Sequence, residues 1–359
     1  MDFTLTEEQD YFRTTLTRAL QRDYTFDMRQ AIVDSEDGWS TDVWAQLVEL
    51  GVTAIPFSED IGGLDGSIVE LVTSAEVFGA HLLVEPWIGS VVLAGGVLST
   101  VDHREARSWL ERIAAGEAIG ALAHEEGRGT PNPELVTTTV EITADGCYLL
   151  TGEKRLVLHG GAADVVVVTA QMDGEIGLFL VNGSAPTVTT FTTIDGRSAA
   201  HLRFDSVPAT LLCSKTGQQL SEALDRATVV LAAEAVGAMG ELLSRTADYA
   251  FTREQFGAPI GSFQAIGHRL ADMKIAYAKA RATLLYTTGL AEAESLTSRD
   301  VAVLKAQVGR LGRQVGESAI QIHGGVGMTD ELAIGHFHKR ILASDALMLN
   351  KELLPDVSI

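Results

Sequence analysis

A block of short β-branched runs, enclosed by two long helical stretches, constrains this chain more than any other feature. Thr137-Thr-Thr-Val-Glu-Ile-Thr143, Tyr148 to Leu150, Val165-Val-Val-Val168 and Ile176 to Val181 read as strands, in a block ending near Phe204-Asp-Ser-Val-Pro208. From Thr6 to about Ala115 apolar residues recur at three- and four-residue spacing, and Thr6 is placed to cap a helix opened by Glu7 and Glu8. Turns such as Glu59-Asp-Ile-Gly-Gly63 separate these helices. Helical spacing returns from about Gln218, and the stretch from Ala227 to Met239 is apolar nearly all round, which predicts a buried helix. Strands gathered between helical blocks argue against an alternating parallel α/β sheet. The expected class is α+β, with helical, β and helical domains over 1–116, 117–216 and 217–359.

At 359 residues the chain exceeds what one hydrophobic core ordinarily fills, and its 46% hydrophobic content can supply more than one. The 48 acidic against 27 basic residues give a formal charge of −21, which repels nucleic acid and anionic membranes. Cys147 and Cys213 match no metal or redox spacing, and reduced cytoplasmic thiols are the expectation. The opening Met1-Asp-Phe-Thr is unlike a signal peptide, and the apolar run from Pro86 to Val101 is glycine-broken and short for a membrane span. A soluble cytoplasmic protein without membrane insertion is therefore expected. His336 and His338 lie two apart with no acidic or cysteine partner at fixed spacing, so no metal site is expected. G-x-G-x-x-G, P-loop and G-x-S-x-G strings are absent.

Two segments near the C-terminus carry the candidate chemistry. In the first, Arg253 offers a guanidinium fork for a pyrophosphate, beside Gln255, Phe256, Phe263 and Gln264, with Gly257 and Gly261 letting the backbone turn. In the second, Gln321, Ile322, His323, Gly324 and Gly325 form a glycine turn that ends at Gly327. The amides of Gln264 and Gln321 both donate and accept, as ribityl or ribose hydroxyls and adenine edges require. Each residue alone has a plainer reading as surface ion pair, helix end or solvated side chain.

Together, Arg253-x-Gln-Phe-Gly-x-Pro-Ile-Gly-x-Phe-Gln264 and Gln321-Ile-His-Gly-Gly325 resemble the two flavin-dinucleotide signatures of the acyl-CoA dehydrogenase family. The resemblance covers nearly the whole chain, through Asp2-Phe-Thr-Leu-Thr-Glu-Glu-Gln9, Glu49-Leu-Gly51, Ile55-Pro to Gly63, Thr151-Gly-Glu-Lys154, Ala163-Asp164 and Arg203 to Pro208. The texture is most similar to small subunits of the pimeloyl-CoA dehydrogenase type. It implies an N-terminal helical domain, a middle β-barrel-like domain and a C-terminal four-helix bundle. It also implies FAD-dependent α,β-desaturation of an acyl-CoA in fatty acid or steroid side-chain β-oxidation, with electron transfer flavoprotein as acceptor. Coenzyme A is polyanionic, so binding it would need a local basic patch.

The departures fall on one side. The family's flavin-facing Thr-Glu-Pro segment corresponds to Ala123-His-Glu-Glu126, and its aromatic-Ile-Thr/Ser segment to Leu156-Val-Leu158. The principal base position falls at Met348 or Leu349, and the isovaleryl-type alternative near Ala227. In family assemblies one subunit cradles the isoalloxazine while its neighbour holds the adenine and pyrophosphate. The pattern therefore implies a subunit without its own catalytic residue that shares FAD with a glutamate-bearing homologue, in an α2β2 heterotetramer. Two alternatives stand beside it. One is a complete homomeric dehydrogenase using Glu234, Asp345 or Glu352 as a displaced base, and the other is an assembly or regulatory protein of the same fold without flavin. Hydrogen-bonded structural roles are the expectation for Glu234, His124 and His159, and for His323 a role of its backbone rather than its ring.

Overall fold

The computed structural model describes residues 4–127 and 136–347, and they divide into two compact units. One comprises Gln30–Leu71 and Val84–Ala227. Its helical part holds α3 (Thr41–Glu49), the second half of α2 (Phe26–Val33), a wide π-helical stretch Ile88–Gly95 running into α5 (Gly96–Leu98), and α6 (Arg104–Ala114). The expected turn at Glu59-Asp-Ile is one turn of 3-10 helix, closed by Gly62 at φ +84°.

The strands are β1 (Gly120–Ala123), β2 (Thr139–Ile142), β3 (Tyr148–Leu158), β4 (Val165–Met172), β5 (Glu175–Asn182), β6 (Thr187–Thr192) and β7 (Ser198–Cys213). Pairing runs β4-β2-β3-β7-β5 and returns to β4, so five strands close on themselves; β1 lies parallel to β4, and β6 pairs with β7. Closure removes the edges that an open sheet would leave unpaired. Val166, Val168, Phe179, Val181, Leu150, Leu202 and Phe204 fill the interior. Val165 and Val167 are buried as well, so β4 is covered on both faces, as its unbroken valine run indicated. β7 continues to Cys213, five residues past the Pro208 at which the β-branched block was expected to stop. Its Ala209, Thr210 and Leu211 find partners on β3 and β5, and that pairing, not residue preference, extends the strand.

The other unit comprises residues up to Arg29, Val72–Leu83, and Thr228 onward. It opens with α1 (Glu7–Asp23), where Thr6 and Gln9 form a reciprocal capping box, and includes most of α4 (Ile68–His81). It continues with most of α7 (Gly217–Thr252), then α8 (Gln264–Glu292), α9 (Ser298–His323) and α10 (Ala333–Leu347). Glycines set the helix spacing. A Cβ at Gly79 of α4 would lie 1.9 Å from the Glu234 carbonyl of α7, and one at Gly237 of α7 would lie 1.9 Å from the Glu76 carbonyl of α4. The two backbones thus cross in direct contact. By length and composition α7 could span a bilayer, but 72% of its most apolar window is buried inside the protein.

Candidate functional site

The first signature segment is a projecting hairpin built at the end of α7. The Arg253 N–H donates to the Tyr249 carbonyl at 2.8 Å and closes the helix. The chain then folds into β8 (Glu254–Gln255) and β9 (Ala258–Pro259), joined by Phe256 and Gly257 at φ +55° and +80°. Two successive positive φ angles are what a two-residue hairpin turn of type I′ requires, and glycine adopts one of them without strain. Phe256 stands 94% exposed, with its ring edge-on to Phe263 at 6.2 Å. Arg253, Gln255 and Gln264 are also exposed. Among the described residues no ion pair engages Arg253, and no side chain caps the start of α8, so a guanidinium fork and backbone donors stand together on the surface.

The second segment ends α9. Gln321, Gly324 and Gly325 are exposed, while Ile322 and His323 are buried, and Gly324 takes φ +65° as the helix terminates. The His323 ring does more than the sequence reading assigned to it. It stacks on Tyr249 with centroids 4.2 Å apart and planes 21° from parallel, while its Nδ1 lies 2.9 Å from the Ala319 carbonyl. Burial lowers the pKa of His323, with the Ala319 contact opposing, which favours a neutral ring in this stack. Because Tyr249 also receives the Arg253 N–H, this stack joins the two segments. Sequence reasoning missed Tyr249; its signal was an aromatic one helical turn before the arginine.

Several polar groups in the corresponding segments of the β-containing unit bond to one another. Lys154, wholly buried on β3, donates to the His124 carbonyl at 3.1 Å, to Thr169 Oγ1 at 3.0 Å and to Glu126 at 2.6 Å. His124 Nδ1 lies 2.9 Å from the same Thr169 hydroxyl, and Glu126 accepts from the backbone N–H groups of Thr137 and Thr138. Burial alone would raise the Glu126 carboxyl, but the Lys154 ammonium and the threonine donors outweigh it and hold its pKa at about 2. Burial takes Lys154 down to about 8 against the pull of Glu126. Past Lys154 the register shifts, with Leu156 at φ +55°, and His159, at φ +52°, meets the Val84 carbonyl through Nε2 at 2.8 Å. Both histidines are hydrogen-bonded as expected, and Leu158 packs with no hydroxyl to offer.

The candidate bases fare unequally. Ala227 is buried and inert. Glu234 accepts from Arg340 Nη1 at 2.9 Å and from Ser344 Oγ at 3.1 Å, on a residue only 2% exposed. Arg340 is anchored in turn on the carbonyls of Leu83, at 2.8 Å, and Leu82, at 3.4 Å, where Arg29 also donates. The hydrogen-bonded role expected for Glu234 is thus met by an ion pair whose basic partner lies on α10. A carboxylate whose two oxygens are taken up by a guanidinium and a hydroxyl is poorly placed to take a proton from carbon. Asp345 packs against Gly309 of α9, with Arg313 at 4.0 Å. Met348, Leu349 and Glu352 lie outside the described residues.

Known proteins of one kind share this sequence and architecture. Residues 6–117 match the N-terminal domain of acyl-CoA dehydrogenases and residues 217–347 their C-terminal domain. The acyl-CoA dehydrogenase FadE27 of Mycobacterium tuberculosis is 30% identical, over 96% of this chain and 93% of the relative. Acryloyl-CoA reductase (NADH) of Anaerotignum propionicum is 27% identical, over 94% and 90% respectively. Among solved structures, the ChsE4-ChsE5 complex from Mycobacterium tuberculosis superposes with a TM-score of 0.88 at 27% identity, covering 97% of this chain and 95% of the other.

Proposed function

The chain belongs to the acyl-CoA dehydrogenase family, and we propose that within it this is the subunit that completes a partner's FAD site while its own site is idle. Arg253, Gln255, Phe256, Phe263, Gln264 and the turn Gln321 to Gly325 hold the adenine and pyrophosphate end. A homologous subunit bearing the catalytic glutamate binds the isoalloxazine and the acyl-CoA, in an α2β2 heterotetramer. When bound, FAD would supply the hydride acceptor for α,β-desaturation of the thioester. The residues of this chain fit the dinucleotide half of that cofactor, because a guanidinium with no ion pair among the described residues stands beside open backbone donors on an exposed arm.

One contrast carries the reading. The arm's polar groups face outward with capacity to spare, whereas His124, Glu126, Lys154 and Thr169, at and around the positions that would face a flavin, are engaged with one another. The homomeric alternative needs a displaced base, and the Arg340 clamp on Glu234 weighs against it. Similarity to a complex of two different subunits supports a heteromer. Acyl groups of dicarboxylyl, alicyclic or steroid side-chain type, electron transfer flavoprotein as acceptor and a cytoplasmic location complete the proposal.

The test is flavin stoichiometry and native mass of the chain purified alone and co-expressed with a glutamate-bearing homologue. Little flavin alone and one FAD per heterodimer together is the expected result. One FAD per subunit alone, reducible by an acyl-CoA, would refute it. A complex that forms without any flavin would mark a purely structural subunit.

A further inference from the structure

Away from both signature segments, the helical unit holds a cavity of about 650 Å³ among α1, α4, α7, α8 and the start of α10. That volume lies within the range that ordinarily takes a small organic molecule. Its apolar surface comes from Tyr24, Phe26 and Phe337, and its charged surface includes Arg13, Arg245 and Arg281 against Glu76 and Glu241. These groups are not equally available. Arg245 is committed to Glu241 at 2.7 Å and lies over the Phe337 ring, and Arg13 reaches out to Asp10 at 2.5 Å. Arg281 has Glu76 at 3.6 Å, longer than a hydrogen bond, and the Tyr277 hydroxyl makes no hydrogen bond among the described residues. Tyr277 and Arg281 stand one turn apart on α8, so a fork and a hydroxyl open onto the same space. Burial pushes the Glu76 carboxyl up from its ordinary value, with Arg281 and Arg13 opposing.

We infer that this cavity is a binding site for a small apolar carboxylate. The carboxylate forks onto Arg281 and accepts from the Tyr277 hydroxyl, and its hydrocarbon body lies on Tyr24, Phe26 and Phe337. Arg281, the one guanidinium of the lining without a close carboxylate partner, favours an acid over an amine of the same shape, and the apolar floor favours a hydrocarbon acid over a short one. In a chain of net charge −21 such a pocket is a local exception to the overall field. The site shares no residue with the FAD arm, so it stands or falls independently of the proposed function.

Calorimetric titration of the full chain, in the assembly in which it purifies, tests this with octanoate, octylamine and acetate. Octanoate is expected to saturate one site per chain and the other two to give no saturable heat. Arg281→Gln should weaken that site about ten-fold or more and Tyr277→Phe about three-fold, with melting temperature and flavin content unchanged. The difference between wild type and Arg281→Gln separates this site from any acyl pocket in the partner. Absence of saturable octanoate binding up to about 10 mM would overturn the inference. So would octylamine binding as tightly, or unchanged octanoate affinity in both variants.

Discussion

Arg253 and Glu234 are charged side chains that their surroundings send in opposite directions. Arg253 is exposed at the foot of a hairpin and engages no ion pair among the described residues, so replacing it is expected to remove the proposed FAD contact and little else. Arg253→Ala is expected to leave the heteromer intact while weakening FAD about ten-fold or more, read by flavin fluorescence during dilution. Glu234 neutralises buried Arg340, so its loss strands a guanidinium away from water. Glu234→Gln should cost about 3 kcal/mol in chemical denaturation yet leave the turnover of the assembled enzyme within about two-fold. A collapse of turnover without loss of stability would restore Glu234 as a base. Glu126 adds a pH signature. Its folded pKa, about 2 against an ordinary 4.5, is depressed, so the stability it contributes is present above 4.5 and disappears as pH falls towards 2. Acid unfolding of Glu126→Gln, followed by circular dichroism, should be flatter across that window than that of the wild type.

At the scale of elements, short side chains decide what can approach what. Gly79 and Gly237 let α4 and α7 cross backbone to backbone, and alanine at Gly237 would force its methyl into the Glu76 carbonyl. Gly237→Ala is expected to destabilise by about 1–3 kcal/mol, seen as a lower melting temperature, unlike Gly267→Ala, whose Cβ meets nothing within 4 Å. The glycines of α9 work similarly, with Gly309, Gly312 and Gly316 facing Asp345, Ile341 and His338 of α10. The spacing of three and four along both helices is a ridge lying in a groove. None of these glycines stood out by sequence, because glycine in a helix signals a packing need only when the opposing element is known. The Gln-Phe-Gly string was legible as part of a family signature, but its hairpin turn follows from two positive φ angles seen only in the fold.

For the whole molecule the decisive expectation is compositional: a native mass corresponding to two copies of this chain and two of a homologue, with two flavins. The architecture behind that expectation was largely legible beforehand. Periodicity near 3.6 and near 2 is a local property, so the succession of helices, short strands and helices could be read along the chain, as could the Thr6 cap and the two signatures, whose residues are near neighbours in sequence. The strand block, by contrast, was too short by Ala209 to Cys213 and lacked β1 and β6, because those segments are strands by virtue of their partners. The site divides in the same way. Which residues form the hairpin and the glycine turn was set by order along the chain. That Glu234 meets Arg340 across 106 residues, that Lys154 joins His124, Glu126 and Thr169, and that His323 lies on Tyr249 were decided only in three dimensions. The physical reason is common to all three. A buried charge or ring takes its character from whatever packing brings against it, and no local pattern encodes that neighbour.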